Sequence, residues 1–441
     1  MRRISIGIDG YNFAIPKGTG VATYGYTLAR TLSEAGHRIE GVFGLHVGAN
    51  PTLRETMFFD RIGKEQTGRR VFGSRMRRFL GIARATIDPW LSATAVEVPL
   101  TSHVDKEGFA DKLPPLDRLV SAPGLFPSAQ RHFSTTGRLL ALRMERPPEI
   151  MHWTYPVPVR LEGARNVYTI HDLVPLRLPY TTLGEKPRFD RMFRAVCATA
   201  DHVCTVSDYS RDDILGQTGL DPSRVTNTYQ TTLLPPHIEA ETAQASAAIV
   251  RGTLGLIPRG YFLFFGSLEP KKNLGRLLEA YLGLELDTPL VIVGARAWLS
   301  DGEMSLLPPE EADESKRRVI RLDYLSRDLL LRTIRSAKAV LFPSISEGFG
   351  LPALEAMQLG TPVLTSNRSS LPEVAADAAE LVDPYNADAI ARGILRLDRD
   401  DDLRARLAEA GPRRAARFAP AAYLARLEAM YAGMLGTTVS R

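Results

Sequence analysis

The sequence predicts an α/β protein built from two consecutive doubly wound domains. Three observations lead there. Short β-rich apolar runs alternate with helical patterns, as in parallel sheets covered on both faces. The runs fall into two groups, separated by a stretch rich in proline and small residues. The chain has 441 residues, more than one compact core organises.

In the first group the strand candidates are ISIGID (4–9), GVFGLH (41–46), NVYTIH (166–171) and HVCTVS (202–207), with RVTNTY (224–229) as a fifth. In the second they are YFLFFG (261–266), PLVIVG (289–294), RVIRLD (318–323), AVLFPS (339–344) and TPVLTS (361–366). The segment from Thr231 to Gly252 has no strand pattern and reads as the inter-domain connection. Domains are expected at 1–235 and 236–415. The tail from Asp398 to Leu435, rich in Ala, Arg and Leu, should be helical, and 416–441 should pack back on the first domain. In open parallel sheets ligands sit beyond the carboxyl ends of the strands, so two facing sheets would hold their site between them.

Composition removes several function classes. With 44% apolar and 24% charged residues, the chain reads as an ordinary globular protein. No run of about 18 uncharged apolar residues exists. The start MRRISIGIDG lacks a secretory h-region, so the cytoplasm is the expected compartment. Cys197 and Cys204 read as buried reduced thiols. The eight histidines show no metal-ligand spacing, and neither a metal nor another cofactor is expected. A formal charge of +5 is modest for this length and is not spread as a nucleic-acid binder would spread it.

The chemistry concentrates after two strands of the second group. After AVLFPS comes ISEGFGLPALEAM. Pro352 suits the first helical position, where a missing N–H costs nothing. Gly348 and Gly350 let the backbone approach a ligand, and the helix start favours an anion such as a diphosphate. A carboxylate does not bind phosphate, but it accepts from both members of a vicinal diol. Glu347 in the loop and Glu355 on the first turn therefore point to sugar hydroxyls, and the whole to a nucleotide-sugar. Glu355 could instead merely serve the helix dipole, but a capping box needs Ser or Thr where Pro352 stands. After YFLFFG comes SLEPKKNLGRLLEAY, in which Asn273 suits an N-cap and the lysines offer point charge for phosphate oxygens. Most such lysine pairs are solvated surface; this one gains meaning from the glutamates in the same domain.

EGFGLPALE resembles the E-x7-E signature of the retaining glycosyltransferases of family 4, whose GT-B architecture is two facing Rossmann-like domains. FGSLEPKKN resembles that family's GTLEPRKN, VGARAW (293–298) its VGxxGW, and TIHDLVPLRLP (169–179) its TxHDLxPLxxP, while NRSSLPEVAADAAELVDP (367–384) is similar to its donor-side continuation. The resemblance covers nearly the whole chain and implies little about which sugar moves. It implies that Glu347 lies against the donor sugar and Glu355 holds the ribose. The amides of Gly348, Phe349, Gly350 and Leu351 would line sugar and diphosphate. Lys272 would neutralise the leaving diphosphate, with Thr365 or Ser366 at its rim. Gly266, Ser267 and Gly294 stand in the same donor-side motifs. Many relatives carry arginine at the position of Ser267; its absence leaves Lys272, with Lys271 or Arg296, to share the charge. Ala297 replaces the usual glycine.

On the acceptor side, Gly18, Thr19 and Gly20 precede a helix starting near Val21, a loop with amides toward the cleft. Its spacing departs from the dinucleotide fingerprint. His171 and Asp172 end the strand NVYTIH. An isolated histidine is more often a core residue, but at a strand's carboxyl end, within the TIHDL resemblance, His171 is expected to contact the donor sugar or the reacting acceptor oxygen. Tyr155, in HWTYP, is a further acceptor-side candidate. Residues 63–84 carry seven basic residues against Glu65. Phe72, Met76, Phe79, Leu80, Ala83 and Ile87 share one helical face, so residues 69–87 fit either an anionic membrane surface or an ordinary buried-face helix.

The expected function is metal-independent, retaining transfer of a hexose from a GDP- or UDP-linked donor to a glycan or polyprenyl-linked acceptor in surface polysaccharide synthesis. Mannose from GDP-mannose is the leading donor. The alternatives are a non-catalytic sugar-nucleotide-binding scaffold or a nucleotide-sugar epimerase of the same fold.

Overall fold

The computed structural model describes residues 2–13, 20–62, 92–101, 104, 109, 113–181, 186–294, 306 and 318–436. Its first domain is organised by strands β1 (Ser5–Asp9), β2 (Arg38–Phe43), β3 (Ala93–Thr94), β4 (Val96–Val98), β5 (Arg118–Ser121), β6 (Leu140–Arg143), β7 (Ile150–Trp153), β8 (Val159–Leu161), β9 (Arg165–Ile170), β10 (His202–Thr205) and β11 (Val225–Asn227). Eight of them form one sheet in the order β11-β10-β9-β7-β1-β2-β5-β4, while β3, β6 and β8 form a small separate sheet. Every pairing in the large sheet is parallel except β4 with β5. The second domain has β12 (Phe262–Phe265), β13 (Leu290–Val293), β14 (Val319–Leu322), β15 (Ala339–Phe342), β16 (Val363–Ser366) and β17 (Glu380–Val382). These form a wholly parallel sheet in the order β14-β13-β12-β15-β16-β17.

Continuous apolar runs make these strands because both sheet faces are buried. Along β12, Leu263 and Phe265 enter one cluster and Phe262 and Phe264 another. Along β15, Val340 and Phe342 join the first while Ala339 and Leu341 join the second. The first cluster also takes Ile6, Ile8 and Val167 from the other domain, so one apolar body continues through the molecule.

Three expectations about the elements change. The strand at 41–46 begins earlier, at Arg38, and ends at Phe43. Its Glu40 is buried and meets Arg118 Nη1 of β5 at 3.0 Å. That interior ion pair breaks the apolar run in both strands and hides β5 altogether. β7 was likewise absent from the expected set. Its His152 is fully buried and bonds Thr169 Oγ1 at 2.6 Å through Nε2 and the Tyr431 hydroxyl at 2.6 Å through Nδ1. Third, much of the expected connection belongs to the second domain: a helix over Ala243–Leu254, capped by the Thr242 hydroxyl, packs on the helix Arg327–Ser336. Glu241, just before it, accepts from Arg332 at 2.7 Å.

The chain crosses back at its end. The helix Pro420–Leu435 returns to the first domain, where Tyr431 meets His152 and Glu428 meets His37 Nε2 at 3.1 Å. A second tie joins the domains beside the cleft. The Glu373 carboxylate accepts the amides of Asp208 and Tyr209, at 2.7 and 3.1 Å, at the start of the helix Asp208–Thr218. Tyr229, Phe349 and Phe418 pack ring on ring next to it. Both cysteines are buried and free. Among the described residues, no helix is long and apolar enough to cross a membrane.

Candidate active site

Each sheet reverses its winding order once, beside β1 and β7 in the first domain and between β12 and β15 in the second. Crevices for ligands open at such points, beyond the carboxyl ends of the strands. The loop after β12 carries Gly266–Asn273 and the loop after β15 carries Ser344–Gly350. Opposite them stand Thr154 and Tyr155 after β7 and His171 and Asp172 after β9.

The lysines reach the glutamate loop because their own turn is tied to it. Pro270–Lys272 forms a single 3-10 turn ending at Asn273, which has φ 64°. Asn273 does not cap the following helix with its side chain as expected. Its amide instead bridges the carbonyls of Pro343 (3.0 Å) and Pro384 (2.7 Å), and Ile345 N–H donates to Lys271 O at 2.8 Å. The result is a bond from Lys272 Nζ to Glu347 Oε1 at 2.6 Å, with both side chains nearly buried. Burial alone would raise the Glu347 carboxyl, but Lys272 and Lys271 outweigh it and hold the group below the usual carboxylate range. Burial would likewise lower the Lys271 ammonium; Asp172 from the facing domain, Glu347 and Glu269 hold it above its usual value. The Ser267 hydroxyl donates to Glu269 at 2.5 Å, and Lys271 lies 3.8 Å from the same carboxylate. At this position the chain thus has a serine and a lysine sharing one acid.

The glycines do two different things. A Cβ on Gly348 would stand 2.4 Å from His171 O, so what presses on this residue is the facing domain's backbone as well as any ligand. Ser210 Oγ bridges the seam, 2.7 Å from His171 O and 3.4 Å from Gly348 O. Gly350 has φ 106° and opens the helix Leu351–Gln358. That start makes Pro352 the second helical residue, not the first, and puts Glu355 on the second turn. Pro352 has no N–H, and Ala353 and Leu354 N–H donate to Gly350 O at 3.0 and 3.2 Å, so the helix leaves the Leu351 N–H without a partner inside it, at the end that favours an anion. Ser369 and Ser370 brace the loop: Ser369 Oγ accepts Glu347 N–H at 3.0 Å, and Ser370 Oγ donates to Glu347 O at 3.0 Å and Phe349 O at 2.9 Å.

Glu355 is buried and paired, at 2.6 Å from Oε1, with Arg327 Nη2 after β14. Arg327 was not anticipated from the sequence. Nothing in RLDYLSRDLL marks it until the fold brings β14 beside the other loops.

On the first-domain side, His171 Nε2 lies 2.9 Å from Thr154 O. A carbonyl only accepts, so Nε2 carries the proton and Nδ1 is an acceptor, with Gln230 Nε2 3.5 Å away. Burial lowers the His171 pKa, which keeps the ring neutral. Thr154 is itself fixed: its N–H donates to Asp9, whose carboxyl burial pushes up to about 6. Asp172 Oδ1 accepts Val174 N–H at 3.0 Å, and Tyr155, half-buried beside it, is pushed up to about 12 by burial and then by Asp172. Asp9, Gln230, Glu269 and Glu373 are further parts of this framework that the sequence reading missed.

Some expected members fall elsewhere. Thr365 and Ser366 end β16 fully buried, and the Thr365 hydroxyl donates to Phe342 O at 2.9 Å. The strand runs on through both, which commits the Thr365 hydroxyl to the sheet, whereas the buried Ser366 hydroxyl at the strand's carboxyl end has no hydrogen-bond partner among the described residues. Phe349 is 2% exposed, which leaves only its backbone for a ligand. Gly266 and Gly294 close β12 and β13, with Gly266 N–H on Val293 O and Gly294 N–H on Leu322 O, each at 3.0 Å. Gly20 begins the helix Gly20–Glu34. Gly18, Thr19, Arg296, Ala297 and residues 69–87 lie outside the described residues. Among the described residues no group of three or more His, Cys, Asp or Glu is placed to hold a metal ion.

The geometry can be set beside known proteins. A sequence model described as glycosyl transferases group 1 matches residues 258–414, and one described as glycosyltransferase family 4 matches residues 95–229. The chain is 33% identical over 253 residues to the O-antigen chain mannosyltransferase B of Escherichia coli, a match covering 56% of this chain and 64% of that protein. The chain thus matches somewhat less than two thirds of that relative's length. Among solved structures, a sucrose-phosphate synthase from Thermosynechococcus elongatus aligns with a TM-score of 0.64 at 16% identity, over 98% of this chain and 100% of that one. The Anabaena HepE protein in complex with UDP-glucose aligns with a TM-score of 0.61 at 14% identity, over the same shares. Both sheets, the facing strand ends and the two family models agree: residues 95–229 match glycosyltransferase family 4, residues 258–414 match the glycosyl transferases of group 1, and the chain has the GT-B fold.

Proposed function

We propose that this chain is a glycosyltransferase that moves a hexose from a nucleotide-sugar to a glycan or polyprenyl-linked acceptor in surface polysaccharide synthesis, with mannose from GDP-mannose as the leading donor. The observation that carries the reading is the meeting of Lys272 with Glu347 at 2.6 Å, at the strand ends facing His171. The E. coli relative's name, an O-antigen chain mannosyltransferase, supports the sugar and the acceptor class. The UDP-glucose complex of a protein of the same fold supports a nucleotide-sugar.

In this reading the anomeric carbon–phosphate oxygen bond breaks and its electron pair stays on the nucleoside diphosphate. Lys272, Lys271 and the amide opening the helix Leu351–Gln358 stabilise that charge. The acceptor oxygen bonds the anomeric carbon on the same face, and its proton passes to the departing phosphate, so configuration is retained. This charge distribution does its work without a metal ion. Glu347 and neutral His171 orient sugar hydroxyls, and Glu355 accepts from the ribose. Residues 69–87 would rest on anionic membrane near a lipid-linked acceptor.

Incubation with a panel of sugar nucleotides tests the activity. Slow release of mannose from GDP-mannose, lost in Glu347→Ala, is expected; tight nucleotide binding with no sugar released from any donor would sink it in favour of a scaffold. For the membrane contact, replacing Arg75, Arg77 and Arg78 with Gln should lower flotation with anionic vesicles, and unchanged flotation removes that part.

A further inference from the structure

Arg327 is the first residue of the helix Arg327–Ser336, whose N-cap Ser326 accepts Leu329 N–H at 3.4 Å. A cation at that end opposes the helix dipole, so local preference does not explain it. The acidic neighbour Asp328 is committed elsewhere, to His237 Nε2 at 2.6 Å. What holds Arg327 is Glu355, reached from the second turn of another helix. The two partners are unequally placed: the Glu355 side chain is 7% exposed and that of Arg327 43%. A carboxylate so enclosed depends on a partner for its charge. The bond engages Oε1, and an ionised carboxylate has acceptor positions for further donors, which a vicinal diol supplies.

We infer that Arg327 is a positioning residue that holds Glu355 in one orientation, and that the preference of this protein for ribonucleotides over 2′-deoxyribonucleotides depends on it. The inference deepens the proposed function and rests on the reading of Glu355 as the ribose holder. Arg327 acts on the nucleotide through Glu355. Its loss frees the carboxylate to reorient, which weakens acceptance from the diol. A salt bridge that only joined two helices would leave the ribose preference alone.

Calorimetry on the full chain compares GDP with 2′-deoxy-GDP, and UDP with 2′-deoxy-UDP. The wild type is expected to bind the ribonucleotide at least about tenfold more tightly, as loss of a hydrogen bond to a charged group implies. In Arg327→Leu that ratio should fall toward one, with the ribonucleotide losing most of the affinity, and Arg327→Lys should restore part of the ratio. If Arg327→Leu binds more weakly but keeps the wild-type ratio, Arg327 is structural and the inference is overturned while the ribose reading stands. If the wild type shows no ratio, Glu355 does not hold ribose and both fall together. Should Arg327→Leu not fold, Arg327→Lys is read the same way: a ratio below that of the wild type supports the inference, and the full wild-type ratio overturns it.

Discussion

Two glutamates eight positions apart each meet a cation at 2.6 Å, yet the pairs are not alike. Lys272 and Glu347 are both nearly enclosed, with side chains 11% and 9% exposed, and Lys272 also lies 4.9 Å from the centre of the Phe342 ring. Arg327 is 43% exposed while Glu355 is 7%. In the first pair each charge depends on the other for its place in the interior. In the second the arginine keeps water contact and only the carboxylate depends on its partner. The difference suits the roles proposed for them. One pair stands where charge shifts during reaction; the other holds an acceptor steady for a part of the donor that does not react.

The comparison can be broken at its stronger end first. Lys272→Met strands the Glu347 carboxylate and should cost about 3–5 kcal/mol of stability, with turnover lost as well. The double change Lys272→Met with Glu347→Leu should recover most of that stability in denaturant unfolding and none of the activity. A double variant as unstable as the single one would show that the pair is not the source of the loss. The pH profile sharpens the same point. The folded Glu347 carboxyl lies below its ordinary value of 4.5. The stability it contributes is therefore complete above that pH and is lost as pH falls through the lower folded value. The double variant should lack this acid loss, and equal acid sensitivity in both proteins would contradict the assignment.

The smallest expected effect is at the seam. Glu373 caps a helix of the facing domain, but burial pushes its carboxyl up, so its charge is held at some expense. Glu373→Ala, which bares two amides, should cost about 1 kcal/mol, and Glu373→Gln less, because the amide oxygen still accepts. Equal melting curves for the two variants would mean that the cap contributes nothing.

Much of this site is legible in the chain. EGFGLPALE and EPKKN follow strong β runs, and their order along the sequence resembles one family closely. Among the strands not foreseen, β5 and β7 share a physical cause: each carries a polar group inside the fold. β5 and the start of β2 hide behind Arg118 and Glu40, and β7 behind His152, since a periodicity of apolar residues cannot register a polar group whose partner lies far along the chain. Arg327 and Glu373 escaped for the same reason. Each is an ordinary charged residue near a helix start until a partner 28 or 165 residues away arrives. Thr365 differs in the opposite direction: it looks available near a strand end, and its hydroxyl donates to Phe342 O.

By itself the sequence determined the two-sheet architecture, the family resemblance and the pair of loops that carry acids and lysines. All of these are local patterns: runs of apolar residues, a proline near a helix start, glycines at a turn. Only the tertiary structure decided which cation serves which carboxylate, which nitrogen of His171 holds the proton, and that Gly348 must lack a side chain because another domain's carbonyl lies against it. Charge pairing and burial depend on distance in space, and that distance is created by folding.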